Sequence, residues 1–222
     1  MGIMKKISII IFAVICLSSI VQAGMLPFAN SILTLKGGYY NPSGVKGSGG
    51  LLLGLGVGNA VDNMVSLSFG LDYFGKSFEE KQEADTFSTT GITTTTMVKV
   101  LYEHKVTYTP LWAGLNITLP IGSSIKPYIG GDLGWGLANV SYDYKDTIAV
   151  EKIIQGPDDG FYSGFGWRAR GGARIGLGIR SALLLEASYS GIKVSREEDG
   201  GWERELDMSG FGMGAAIELK GL

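Results

Sequence analysis

The sequence predicts an all-β chain: an eight-stranded antiparallel transmembrane barrel in up-and-down meander order, following an N-terminal signal peptide. Three observations carry this expectation. Apolar residues recur with period two along most of the chain, charge is confined to loops and to one face of each strand, and glycine, at 35 of 222 residues, is about twice as frequent as usual. With 6 prolines, no Gly-X-Y period and 45% hydrophobic content, this glycine belongs neither to collagen nor to a disordered chain.

The N-terminus comes first. Lys5 and Lys6 precede an apolar run from Ile7 to Leu17, and Val21-Gln22-Ala23 supplies small residues before Gly24. That is the pattern of a cleaved secretory signal. The apolar run is about half the roughly twenty residues that a membrane-spanning helix needs. Residues 1–23 are therefore expected to be removed, leaving 24–222 as one barrel domain. The single cysteine, Cys16, leaves with the signal, and Ile15 stands where a lipoprotein would carry a small residue. The exported chain must then be stable without disulfides.

Eight strands follow, at 32–41, 49–58, 64–75, 104–119, 126–143, 162–178, 182–195 and 203–220. In the second, Leu51, Leu53, Leu55 and Val57 alternate with Gly50, Gly54, Gly56 and Gly58. In the third, Val65, Leu67, Phe69, Leu71 and Tyr73 alternate with Ser66, Ser68, Gly70 and Asp72. The fourth sets Leu111, Ala113, Leu115, Ile117 and Leu119 against Trp112, Gly114, Asn116 and Thr118, and the fifth sets Ile129, Leu133, Trp135 and Leu137 against Gly130, Asp132, Gly134 and Gly136. The last places Phe211, Met213, Ala215, Ile217 and Leu219 on one face. Alternation of this kind is the mark of a strand with two unlike faces. The connections 59–63, 120–125 and 179–181 are short, whereas 76–103 and 144–161 are long and 42–48 and 196–202 intermediate. Short turns at one rim and longer loops at the other, with both termini on the short-turn side, describe a membrane barrel. Several strands exceed the nine to eleven residues that cross a bilayer, so their loop-side ends project beyond it.

Charge tells which face is outside. Of 40 charged residues, 25 fall in 76–105, 143–161 and 193–207. Eight lie within strand cores: Lys36, Asp72, Asp132, Arg168, Arg170, Arg174, Glu186 and Glu218, all on the row opposite the apolar residues. A soluble periplasmic barrel, the main rival fold, would be built inside out relative to this. The interior of an eight-stranded barrel is only just wide enough for side chains, which gives the inward glycines their purpose. Buried charge must be paired, so a neutralised lumenal network is expected. A three-residue turn at 179–181 places Arg174 opposite Glu186; closure brings Lys36 near Glu218; Asp72 joins Arg168 and Arg170. The network either fills and neutralises the core or acts as a charge gate for ions. Tyr39, Tyr40, Tyr73, Tyr108, Tyr142, Phe161, Tyr162, Phe165, Trp167 and Tyr189 gather near the loop-side strand ends, as an interfacial aromatic girdle would.

With these features on the whole exported chain, the sequence resembles the small eight-stranded outer-membrane barrels of the outer membrane protein A and outer membrane protein X kind. The resemblance implies a monomer in the cell outer membrane, surrounded by outer-membrane lipid, inserted by the outer-membrane assembly machinery and able to meet an extracellular partner through its loops. Such chains commonly end in an aromatic residue, whereas this one ends Glu218-Leu219-Lys220-Gly221-Leu222.

Several functions are disfavoured. Nineteen basic against 21 acidic residues do not suit nucleic-acid binding. One Cys and one His cannot make a Cys/His metal site. No cofactor is expected, because Gly54-Leu55-Gly56-Val57-Gly58 is followed by no helix, and the glycosylation match Asn116-Ile117-Thr118 lies on a membrane strand. The only histidine, His104, stands beside Glu103 and Lys105 and reads as an exposed rim residue with no nucleophile gathered around it, so no catalytic residue is assigned and no enzyme is expected. The loop regions carry an excess of acid that could attract divalent cations, and the run from Ser88 to Thr96 favours an extended ribbon or a polar tip. The expected role is structural or loop-mediated interaction at the cell surface; a small pore or gated channel is the alternative, and a lipid-modifying enzyme the second.

Overall fold

A computed structural model describes residues 31–45, 49–86, 95–122, 124–144, 159–197 and 203–221. Residues 1–23, the expected signal peptide, lie outside these, as do 87–94, 145–158 and 198–202. The strands are β1 (Ser31–Pro42), β2 (Gly50–Ala60), β3 (Val65–Thr86), β4 (Thr95–Thr118), β5 (Ile125–Tyr144), β6 (Gly160–Gly176), β7 (Ser181–Glu197), β8 (Glu203–Asp207) and β9 (Gly210–Lys220). Each pairs antiparallel with the next from β1 to β7. β8 and β9 continue one register along β7, and β9 closes the sheet on β1. The result is a closed, eight-stranded meander.

Closure is staggered. Followed from Thr34 through Gly70, Gly134 and Ile192, the register returns to the line of β1 at Gly44, ten residues beyond its start. A stagger of this kind obliges the strands to tilt, typically by about 35–45° from the barrel axis. It also decides which inward side chains share a level.

The faces follow the period-two pattern. Leu35, Leu53, Leu55, Leu67, Phe69, Leu115, Ile129, Leu133, Leu185 and Ile217 are exposed on the outer surface. Phe74, Val106, Tyr108, Tyr162, Ile192 and Val194 are buried in the lumen. A continuous outward aliphatic surface is compatible with hydrocarbon and not with water.

Four local expectations are corrected. The region 76–103 is largely strand: β3 and β4 stay paired to Thr86 and Thr95, with a bulge at Glu80/Lys81, so the connection is a long two-stranded ribbon. The β-branched and aromatic residues Val98, Val100 and Tyr102 supply the propensity for it. The eighth strand is interrupted at Met208 and Ser209, where Tyr40 donates its hydroxyl to the Met208 carbonyl and Ser209 Oγ accepts the Ile192 N–H at 3.1 Å. The turn after β6 closes with the Leu177 N–H donating to the Ser181 carbonyl at 3.0 Å, which pairs Arg174 with Leu184 and Gly172 with Glu186 instead of Arg174 with Glu186. The aromatic group divides as well. Tyr39, Tyr73, Phe161, Phe165, Trp167 and Tyr189 face outward, but Tyr40, Tyr108 and Tyr162 are buried in the lumen, because they occupy even positions on strands whose odd positions face lipid.

Candidate functional site: a layered lumen

Among the described residues, charge, aromatic bulk and open space meet in the barrel interior. At the short-turn end, Arg174 Nη2 lies 2.7 Å from Glu218 Oε1, with Lys220 at 3.9 Å from the same oxygen. Above this pair a cavity of about 60 Å³ runs along β1–β3, lined by Thr34, Gly56, Ser68, Gly70 and Asn116 among others, and capped by Lys36, Arg168 and Arg170. Tyr128, Leu184 and Ala216 pack together at the level of the cavity.

The middle layer is a six-member charge network. Lys36 Nζ is 2.9 Å from Asp72 and 3.9 Å from Glu186. Arg168 bridges Asp72 at 2.5 Å and Asp132 at 2.8 Å, while its guanidinium lies 4.5 Å from the Trp112 ring centroid. Arg170 donates to Asp132 at 2.8 Å and to Ser68 at 3.0 Å, and lies 3.5 Å from Glu186. Tyr128 completes Glu186 by donating its hydroxyl at 2.9 Å. Three cations thus face three carboxylates, which satisfies the requirement that buried charge be paired and hydrogen-bonded. Glycine makes room for it. A Cβ at Gly54 would strike an Asp72 carboxylate oxygen, and one at Gly114 would strike an Asp132 carboxylate oxygen.

The upper layer is apolar and aromatic. Tyr40, Phe74, Tyr108, Trp112, Val140, Tyr162, Ile192, Val194 and Met208 form one buried cluster, to which Val45 of the β1–β2 loop adds its side chain. Tyr40 and Tyr108 stack at 6.1 Å between centroids, and Tyr40 meets Phe74 edge-on at 5.6 Å. Tyr142 packs against this cluster from above and stacks on His104 at 5.5 Å.

All eight charged residues singled out from the sequence stand on the lumenal rows, but their partners differ from those expected. Arg174 takes Glu218, because the β6–β7 register moves Glu186 away from it. Lys36 takes Asp72 and Glu186 instead of Glu218, since Glu218 sits opposite Thr34 on β1. Arg170 turns to Asp132 and Glu186 and leaves Asp72 to Arg168 and Lys36. His104, expected exposed, is 6% exposed on the inward row of β4. Sequence reasoning passed over Tyr128, Ser68 and the cation–π seat of Trp112. All three lie on the rows already marked as inward, so face parity was the signal that could have found them.

Outside the membrane-spanning part, turn chemistry is local. Asp62 Oδ1 accepts the Met64 and Val65 N–H groups at 2.6 and 2.7 Å in the β2–β3 turn. These bonds, Val65's first, hold its carboxyl below the usual carboxylate range. Among the described residues, no group of three or more His, Cys, Asp or Glu is arranged to hold a metal ion.

No protein-family model matches the chain, and no curated protein matches its sequence. Solved structures do match. Neisserial surface protein A is similar over 86% of this chain and 96% of its own, with 13% identity and a TM-score of 0.56. The outer membrane protein OprG from Pseudomonas aeruginosa is similar over 86% of this chain and 97% of its own, with 14% identity and a TM-score of 0.50. At these identities the likeness is one of fold: this is the closed eight-stranded architecture of the small outer-membrane barrels.

Proposed function

We propose that the protein is an outer-membrane surface protein in which the barrel is a non-conducting anchor and interaction takes place on the long-loop side, which faces the exterior. The observation that carries this reading is the stacking of two sealing layers across the lumen. Ions entering from the long-loop end meet Phe74, Tyr108, Tyr162 and Ile192, each under 2% exposed, and then a charge network with no unpaired sign. Desolvating an ion through the first layer is costly, and the second offers it no vacant counter-charge. The β3–β4 ribbon supports the second half of the reading, since its strands of 22 and 24 residues far exceed what a bilayer requires. The signal segment supports export, and the lipid-compatible outer surface supports insertion as a monomer by the outer-membrane assembly machinery.

The test is single-channel recording of the refolded protein in a planar bilayer, beside Glu186→Gln. Silence in both is expected. Steady conductance in the parent that changes in Glu186→Gln would overturn the anchor and establish the gated-pore alternative. In parallel, replacing 79–102 by a tight turn is expected to leave heat-modifiable gel migration intact, because the lumenal layers do not need the ribbon; loss of folding would make the ribbon part of the core instead of an interaction element.

A further inference from the structure

The short-turn rim carries a feature that turn chemistry does not require. Hairpin tips in water are normally built from Gly, Asn, Asp, Ser and Pro. Here the structural work of the turns is done by such residues: Asp62 caps the β2–β3 turn, and Gly122, at φ +84°, makes the β4–β5 turn. Yet all three turns also present a large aliphatic side chain to the outside. Val61 is 62% exposed, Ile121 63%, Leu177 60% and Ile179 102%. None is packed into the barrel, so each needs another environment.

The outward aromatic residues give the level of the opposite membrane boundary. Tyr39, Tyr73, Trp135, Phe165, Trp167 and Tyr189 all stand on the long-loop half, and the outward positions next to the short turns are aliphatic, as at Val65, Ile117 and Ile125. Ten residues separate Tyr189 from Ile179 and twelve separate Phe165 from Leu177. At about 3.3 Å per residue and a tilt of roughly 40°, these spans cover about 25–30 Å along the barrel axis. The apolar band of an outer-membrane barrel is about 25 Å tall. A membrane fixed at the aromatic residues therefore ends at the turn tips themselves. Arg180 stands exposed in the turn beside Ile179, whereas Lys126 and Lys220 occupy inward positions at the barrel mouth, where Lys220 lies 3.9 Å from Glu218. The acids there are already engaged, Asp62 by its turn and Glu218 by Arg174.

We propose that the short-turn rim is a lipid-binding surface: the aliphatic tips sit at the headgroup–acyl boundary of the near leaflet, continuous with the lipid-facing belt, and Arg180 meets lipid phosphate. Acidic lipid fits this rim through charge, and aliphatic tips fit an acyl boundary as they would not fit water. The rim is thereby an anchor that fixes the depth of the barrel.

The test places an environment-sensitive fluorophore on Ile179→Cys and, independently, on Ile121→Cys, in a full-length Cys16→Ser background refolded into phosphatidylcholine vesicles. Heat-modifiable migration selects folded protein. Both labels are expected to be quenched several-fold more strongly by nitroxide-bearing lipid than by aqueous iodide, whereas a label at Glu205→Cys on the long-loop side shows the reverse. Adding phosphatidylglycerol is expected to deepen the lipid quenching at 179 in the parent and to leave it unchanged in Arg180→Gln. Labels at 179 and 121 that behave like the one at 205 would overturn the proposal, and would be the result if the tips instead served a soluble partner protein. This test does not depend on conductance, so its failure is separate from failure of the anchor reading.

Discussion

Replacing Arg168 by Met tests whether the middle layer of the lumen is a desolvated network or a loose set of hydrated charges. Arg168→Met keeps a long apolar stem beside Trp112 but deletes a guanidinium that is 8% exposed and held between Asp72 at 7% and Asp132 at 1%. Three cations facing three carboxylates become two facing three. Removing one partner of a buried pair costs roughly 3–5 kcal/mol, because the survivor remains buried and uncompensated. Here each orphaned carboxylate keeps one cation, Lys36 at 2.9 Å for Asp72 and Arg170 at 2.8 Å for Asp132. The expected loss is therefore at the low end, about 3 kcal/mol. Adding Asp72→Asn removes the surplus negative charge, so the double variant is expected to lose less than the two singles together, with a coupling of about 1–3 kcal/mol. Lys193→Met is the exposed comparison. Its ion pair with Glu205 is equally short at 2.7 Å, but the two side chains are 62% and 54% exposed, and the expected change is small beside that of Arg168→Met. Urea titration in phosphatidylcholine vesicles, read by heat-modifiable migration and by tryptophan emission, measures all four. If Arg168→Met loses no more than Lys193→Met, or if the double variant is additive, the layer is hydrated and the reasoning fails.

Two further outcomes follow from local geometry. Gly172→Ala is expected to destabilise by about 1–3 kcal/mol, since its Cβ would strike the Leu185 carbonyl oxygen, whereas Gly70→Ala, whose nearest neighbour is 3.4 Å away in the cavity, is expected to be neutral or stabilising by up to about 1 kcal/mol; comparison of urea midpoints decides. Asp62→Ala removes the acceptor of two turn N–H groups. Because folding lowers the Asp62 pKa, its contribution is present in full above roughly pH 5 and is lost as the pH falls through the lowered value. The stability gap between parent and Asp62→Ala in detergent micelles should thus close in acid; a gap independent of pH would show that the carboxylate form is not what the turn uses.

Much was legible along the chain because a strand in a thin, two-faced sheet records its surroundings residue by residue. Lipid on one side and a narrow lumen on the other force alternation at period two, so Leu67, Phe69 and Leu71 beside Ser68 and Gly70 already declare which face is which. The lumenal placement of Lys36, Asp72, Arg168 and Glu218 follows from that parity, and the short-turn rim from the lengths of the connections. The partners of those charges do not. They depend on register and stagger, and a turn closing at Leu177–Ser181 was enough to give Arg174 to Glu218 and leave Glu186 to Arg170, Lys36 and Tyr128. Tyr40, Tyr108 and Tyr162 lie in the lumen for a different reason, since nearness to a strand end does not say which face a ring is on. Aromatics near a strand end suit either a headgroup layer or a lumenal core, and the parity they share with Lys36, Trp112 and Arg168 is what separates the two. By itself, then, the sequence determined the faces, since face is a local property of alternating side chains. Tertiary structure alone decided who touches whom across the lumen, because levels in a tilted barrel are set by a stagger accumulated over all eight strands.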